Sequence, residues 1–146
     1  MEFWKMNGAG NDFIIINNIK EQLSAEQLSE CARILCKRHM SIGADGFMAV
    51  DKPSAGVKAD YRMRFYNADG MAGEMCGNGI RCVGKYMYDY GLTDKEAISV
   101  ETLAGIKYLQ FFIENGKVAK VKVDMGSPIL TPAEIPVVAE GERAVD

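Results

Sequence analysis

Residues 78–90 constrain the fold more than any other stretch. Ile80, Val83, Tyr86, Met87 and Tyr90 recur at helical spacing on one broad face, and Arg81, Lys85 and Asp89 form a narrow polar stripe. A helix with so little polar surface must be covered on most sides, and the rest of the sequence offers mainly strands to cover it. Gly84 in its middle predicts close approach of another backbone. In residues 60–66, Tyr61, Met63 and Phe65 alternate with Arg62, Arg64 and Tyr66, a period-two strand with one buried face. Further strands are predicted at 2–6, 12–18, 46–50, 97–103, 106–114 and 117–125, the last two joined by the hairpin signal Asn115-Gly116. An earlier helix begins at the N-cap Ser24, with Gln27 completing a capping box and Leu23 and Leu28 in staple positions. Leu28, Cys31, Ala32 and Leu35 form its stripe, and Lys37, Arg38 and His39 are expected to close its last turn. The predicted class is α+β: many short, mostly antiparallel strands wrapped around one central helix.

A chain of 146 residues is one ordinary domain or two small lobes. From Ser127 the composition shifts, with Pro128, Pro132 and Pro136 close together. The first domain is therefore set at 1–126, and 127–146 reads as edge strand and linker. The net charge is −3 and no Lys/Arg run exceeds two residues, which argues against a nucleic-acid partner. No apolar stretch approaches the roughly 18 residues of a membrane span. The N-terminus lacks the basic-then-apolar order of a signal peptide, so the cytosol is the expected compartment. There the four cysteines are expected to stay reduced. One histidine, His39, and no ligand spacing argue against a metal site.

The chemistry concentrates in the loop from Asn67 to Cys82. Cys76 is followed by Gly77-Asn78-Gly79, a tight turn that runs into the apolar helix. A sulfur there sits beside a helix N-terminus, where open N–H groups favour an anion, whether thiolate or bound carboxylate. Such positions bring a cysteine from about 8.5 to roughly 3.5–7.5, so Cys76 is the expected base or nucleophile. Cys31, Cys36 and Cys82 fit the plainer role of buried helix residues. Gly77, Asn78 and Gly79 read equally as an anion cradle or an ordinary glycine turn, since no phosphate-loop pattern is present. Asn11 and Asn67 lie at strand ends, where spacing alone favours a turn role over ligand binding. Turn and capping roles are also expected for Asp12, Asp69 and Glu74, and a helix-end role for His39.

Four segments together resemble the diaminopimelate epimerase family across the first 126 residues. They are Lys5-Met6-Asn7-Gly8-Ala9-Gly10-Asn11-Asp12-Phe13, Gly43-Ala44-Asp45-Gly46, Arg64-Phe65-Tyr66-Asn67-Ala68-Asp69-Gly70 and Glu74-Met75-Cys76-Gly77-Asn78-Gly79-Ile80-Arg81. The resemblance implies a cofactor-independent epimerase that inverts one α-carbon of LL-diaminopimelate to give the meso form, in lysine and peptidoglycan synthesis. It implies two similar lobes, each a set of strands around a central helix, with the active site between them. By motif, Cys76 would be one of two catalytic cysteines, Asn11 and Asn67 would contact the substrate, and Gly77 and Asn78 would offer backbone N–H groups to its α-carboxylate.

The sequence also departs from the family pattern. The second lobe of the family, with its own cysteine in a Gly-Cys-Gly-Thr-like motif and a Glu-Arg pair for the substrate, is not supplied after residue 126, and Cys82 lies on the same helix as the Cys76 loop. Gly46 stands where some relatives carry a polar side chain, and Met71 where serine is usual. The chain is therefore expected to be the N-terminal half of a longer epimerase, inactive alone. Its cleft face is expected to be apolar, and to self-associate or pair with the missing lobe. Competing expectations are a single-lobe carboxylate-binding module without catalysis and a proline-racemase-like epimerase. A phenazine-isomerase-like protein is disfavoured because it lacks the thiol, and a thiol redox switch is a further alternative.

Overall fold

The computed structural model describes residues 1–135. In chain order the strands are β1 (Trp4–Gly8), β2 (Asn11–Asn17), β3 (Gly46–Asp51), β4 (Tyr61–Asn67), β5 (Ala72–Gly73), β6 (Ala97–Thr102), β7 (Gly105–Glu114) and β8 (Lys117–Val123). The helices are α1 (Asn18–Glu21), α2 (Ala25–Leu35) and α3 (Gly77–Asp89), and a single 3-10 turn follows at Pro132–Glu134. The strands form one sheet in the order β1-β2-β3-β4-β6-β7-β8, with β5 folded back onto β4. Pairing is antiparallel except between β2 and β3 and between β4 and β6. Parallel neighbours need a crossover. Helices α1 and α2 lie in the first crossover and α3 in the second. The α+β class, with mostly antiparallel strands around a central helix, is the observed architecture, a half-barrel.

Side-chain alternation sorts two cores onto the two faces of the sheet. Phe13, Ile15, Met48, Val50 and Met63 pack with Ile80, Val83, Tyr86 and Met87 of α3. Ile14, Ile16, Phe47 and Ala49 point the other way, onto Leu28, Ala32 and Cys36 at α2. Strands β2 and β3 are thus covered on both faces, which is why their sequences run apolar instead of alternating.

The polar stripe of α3 has a structural task. Lys85 Nζ donates to Val118 O (2.5 Å) and pairs with Asp89 (2.7 Å), while Asp89 accepts from Val118 N (2.8 Å). These bonds satisfy the backbone of β8 where the sheet ends, a row of groups that otherwise lacks partners. Gly84 does allow a close approach, but by side chains rather than by a backbone. A Cβ there would lie 2.8 Å from Leu109 and 2.9 Å from Phe111, both on β7. Tyr90 is the C-cap of α3 and largely exposed, so it stands outside the buried face.

Helix α2 carries the Ser24–Gln27 capping box in both directions. It ends at Leu35, earlier than Lys37, Arg38 and His39 suggested. The chain turns instead: Gly43 N and Ala44 N bond the carbonyls of Leu35 and Cys36, and His39 takes a positive φ of 67°. That turn frees Arg38 to reach β2, as described below. After Val123 the described residues contain no strand, only the 3-10 turn. Of the edge-strand reading for 127–146, residues 127–135 are therefore not a strand, and 136–146 lie outside the described residues. Among the described residues no helix is long and apolar enough to cross a membrane.

Candidate active site

Sheet register brings the singled-out loops to one end of the lobe. Phe13 of β2 lies opposite Gly46 at the start of β3, and Gly46 lies opposite Asn67 at the end of β4. Helix α3 begins at the same end, where Asn78 Nδ2 donates to Asn11 Oδ1 at 2.9 Å. Asn11, Asn67, Cys76, Gly77 and Asn78 are therefore gathered from three separate parts of the chain. Gly8 makes room for this junction: a Cβ there would lie 2.7 Å from Cys82 Sγ and 3.0 Å from Asn78 O.

Cys76 is the N-cap of α3. Its backbone is extended, and its sulfur accepts from Gly79 N at 3.4 Å, the role a serine or asparagine oxygen plays at most helix starts. The thiol is half-buried, whereas Cys36 and Cys82 are buried. Burial pushes the Cys36 thiol up to about 11 and also raises Cys82 and Cys31 above the ordinary thiol range. All four cysteines are unbridged.

The two glycines after Cys76 have different reasons. A Cβ at Gly79 would lie 1.7 Å from Met48 Cε, so this glycine lets the first turn of α3 rest on β3. At Gly77 the nearest atom would be Met125 Cε at 3.6 Å, an ordinary contact, and its φ is not positive. Packing explains Gly79 and leaves Gly77 unexplained. Gly46 is explained as well. The Phe65 ring fills the space beside it, 2.6 Å from where a Cβ would be, and it leaves the same lack of room at Gly73.

The asparagines differ in how they are held. Asn67 closes a turn through its backbone, with Gly70 N donating to its carbonyl at 2.9 Å. Its side chain is exposed and makes no hydrogen bond among the described residues. Asn11 Nδ2 donates to Asp45 Oδ2 (3.1 Å), and Arg38 bridges Asp45 (2.8 Å) and Asp12 (2.5 Å). Asp12 also pairs with Lys5 at 3.2 Å. Its hydrogen bond from Arg38, joined by that from Lys5, draws the Asp12 carboxyl down to about 2. Arg38 and then Asn11 hold Asp45 below the ordinary carboxylate range. Asp12 is thus an ion-pair anchor rather than a turn residue, while Asp69 does serve its turn by accepting from Met71 N. Sequence reasoning missed Asp45, Arg38 and Arg81 as parts of this site; Gly43-Ala44-Asp45-Gly46 entered as one segment of the family resemblance, with no role given to Asp45. Among the described residues no group of three or more His, Cys, Asp or Glu side chains could hold a metal ion.

A family model described as diaminopimelate epimerase matches residues 3–131. The chain belongs to the diaminopimelate epimerase family. It is 55% identical over 150 residues to a diaminopimelate epimerase of Agathobacter rectalis, covering 100% of this chain and 50% of that protein. It is 49% identical over 146 residues to one of Methanococcus maripaludis, covering 100% of this chain and 51% of the relative. The chain spans about half the length of the curated relatives it matches. Among solved structures, a hydroxyproline epimerase from Agrobacterium vitis aligns with a TM-score of 0.64 at 16% identity, over 83% of this chain and 40% of that one. A phenazine biosynthesis protein of the PhzF family from Bacillus anthracis aligns with a TM-score of 0.62 at 21% identity, over 80% and 38%. At these identities the structural likeness speaks for the fold of the diaminopimelate epimerase lobe alone.

Proposed function

We propose that these residues form the N-terminal lobe of a diaminopimelate epimerase and supply one wall of its active site. The observation that carries this reading is the start of α3: a half-buried cysteine caps the helix, and the glycine after it has no packing reason to be glycine. Backbone N–H groups of Gly77 and Asn78 at that helix start suit a substrate α-carboxylate. Asn11 and Asn67 complete the wall as side-chain donors, and the reaction calls on neither a metal nor an organic cofactor.

The Cα–H of an amino acid is a very weak acid, so inversion requires stabilised charge and two bases on opposite faces. Cys76 takes the proton from one face as thiolate, or returns it as thiol in the other direction. A second thiol on the opposite wall completes the exchange, so protons balance over one turnover. Cys82 is not that second base, because it is buried against Gly8 of β1 and lies on the same helix that Cys76 caps. The second wall is assigned to a further lobe, in keeping with the half-length match to the relatives. The described lobe alone then binds without turning over. Met71 and Met125 are exposed apolar side chains beside the Cys76 loop and Gly77. They fit a face that pairs with that second lobe or with another copy of this chain, in the cytosol, with no nucleic-acid or membrane partner.

An aziridine analogue of diaminopimelate tests the assignment. The 146-residue chain should be alkylated at Cys76, diaminopimelate should protect it, and Cys31, Cys36 and Cys82 should stay unlabelled. Equal labelling of Cys31 and Cys76, without protection, would sink the base assignment. Epimerisation by the isolated chain, abolished in Cys76→Ala, would overturn the two-lobe reading. A monomer by light scattering at high concentration would remove the self-pairing.

A further inference from the structure

Four side chains at the start of α3 form one directed row of hydrogen bonds. Arg81 Nη2 donates to Asn78 Oδ1 (2.5 Å), Asn78 Nδ2 donates to Asn11 Oδ1 (2.9 Å), and Asn11 Nδ2 donates to Asp45 Oδ2 (3.1 Å). The two ends dictate the direction. A guanidinium has only donors, so the Asn78 atom that faces it must be the oxygen. A carboxylate has only acceptors, so Asn11 must face Asp45 with its N–H. The contact between the asparagines is then complementary in one sense only. Neither amide can turn over without placing two donors or two acceptors face to face somewhere in the row.

Asp45 is itself fixed. Arg38 Nη2 donates to its Oδ1 at 2.8 Å, and the Asp12 backbone N–H donates to its Oδ2 at 3.1 Å. An exposed asparagine such as Asn67 has no such constraint and turns freely to suit its surroundings. Asn11 is also exposed, yet it is held at both ends.

We propose that Arg81 and Asp45 are positioning residues that fix Asn11 and Asn78 as hydrogen-bond donors toward the substrate. Each Nδ2 carries two hydrogens, and the row uses one of them. Each carbonyl oxygen already receives a bond within the row. Each oxygen keeps one lone pair as well, but beside the open backbone N–H groups at the start of α3 the fixed amide N–H groups make this wall rich in donors, which matches a carboxylate and not an ammonium group. The row sets which end of an amino acid this wall accepts. It does so through Asp45 and Arg81, which need not touch the substrate. This inference rests on the reading of the site as a carboxylate-binding wall.

Side-chain amide spectra of the 146-residue chain by 1H–15N NMR test it. The variants are Asp45→Asn, Arg81→Met, both together, and Arg81→Lys. Each single variant should shift the resonances of both Asn11 and Asn78, including the asparagine it does not touch. The double variant should be non-additive in stability, although residues 45 and 81 share no bond. Arg81→Lys restores a donor-only end and should return the Asn11 resonance toward its original position. Shifts confined to the adjacent asparagine, with additive stability effects, would overturn the proposal. If Asp45→Asn fails to fold, Arg81→Met still reads the row from its other end.

Titration separates the row from the substrate. Diaminopimelate should shift both amides in the unmutated chain, pentane-1,5-diamine should not, and the two end variants should lose this preference. Coupled amides with no response to diaminopimelate would overturn the substrate reading and leave the row standing. A response to diaminopimelate with uncoupled amides would overturn the row.

Discussion

Adding one methyl group at residue 79 or at residue 77 should give opposite results. At Gly79 the new Cβ would fall 1.7 Å from Met48 Cε and 2.8 Å from its Sδ. Carbons in contact prefer about 3.5–4.0 Å, so Met48 must move. Its side chain is flexible, but it is 0% exposed, and the space around it is filled by the α3 core. Overpacking of this kind costs about 1–3 kcal/mol. Replacing glycine by alanine within a helix returns up to about 1 kcal/mol. Gly79→Ala should therefore lose about 1–2 kcal/mol net. With a urea dependence near about 2 kcal/mol/M, the unfolding midpoint should fall by about 0.5–1 M. Met48→Leu removes the Cε, and in that background the cost of Gly79→Ala should shrink. At Gly77 the nearest atom to a new Cβ is 3.6 Å away, and no positive φ stands in the way. Gly77→Ala should leave stability unchanged or raised, yet weaken diaminopimelate protection of Cys76, because the methyl group blocks the helix N–H groups. Urea unfolding of the unmutated chain, the three single variants and the Met48→Leu/Gly79→Ala double variant measures the first effect, and alkylation kinetics the second. Equal destabilisation by both alanines, or no relief from Met48→Leu, would refute the separation of a packing glycine from a binding glycine.

Three other outcomes follow from the same structure. Tyr86 has a buried hydroxyl with no partner among the described residues, and burial pushes it up to about 12. Tyr86→Phe should leave stability unchanged or raise it by about 1 kcal/mol, and a loss of that size in urea unfolding would reveal a missed partner. Asp12 is drawn from 3.8 to about 2 in the folded state, so its contribution is fully present above the unfolded value and is lost as pH falls through the folded one. Acid titration of the urea midpoint should be flatter in Asp12→Asn between about pH 4 and pH 2, and an unchanged slope would count against the Arg38 pairing. Asp89→Ala strands the buried Val118 N–H and removes the carboxylate partner of Lys85, and it should cost about 1–3 kcal/mol, with faster amide exchange along β8; unaltered exchange at Val118 would contradict the tie.

The sequence made the strands and the two long helices legible because their periods are clean. The α3 face, the β4 alternation, the Asn115-Gly116 hairpin and the Ser24 capping box each rest on local chemistry. Two short elements escaped. Helix α1 is one turn, and β5 is two residues that pair only because the Asn67–Gly70 turn folds them back. The end of α2 was misplaced because positive charge after a helix looks like dipole compensation, whereas Arg38 is drawn across the chain to Asp12 and Asp45. Gly84 was read correctly as a close approach and wrongly as one between backbones. At the site, Cys76 and the glycines were visible as a motif. The contrast between Gly77 and Gly79 was not, because it depends on Met48 and Met125, residues far from them in the chain. Asp45 and Arg81 escaped for a similar reason, since their roles exist only where three loops meet.

The bond between Asn78 and Asn11 joins residues 67 positions apart. In folding, that is a loop that must close before the row can form, and its entropy is recovered only when the β1–β2 hairpin docks on α3. The side-chain row therefore depends on a long-range closure, whereas the Cys76 cap is local to α3. A chain whose first hairpin is undocked keeps the Cys76 cap bond to Gly79 N but lacks the Asn11 amide that meets Asn78. The bare glycine at residue 8, lying against Asn78 and Cys82, is where the first hairpin seats on α3, so the first few residues decide whether the row is assembled.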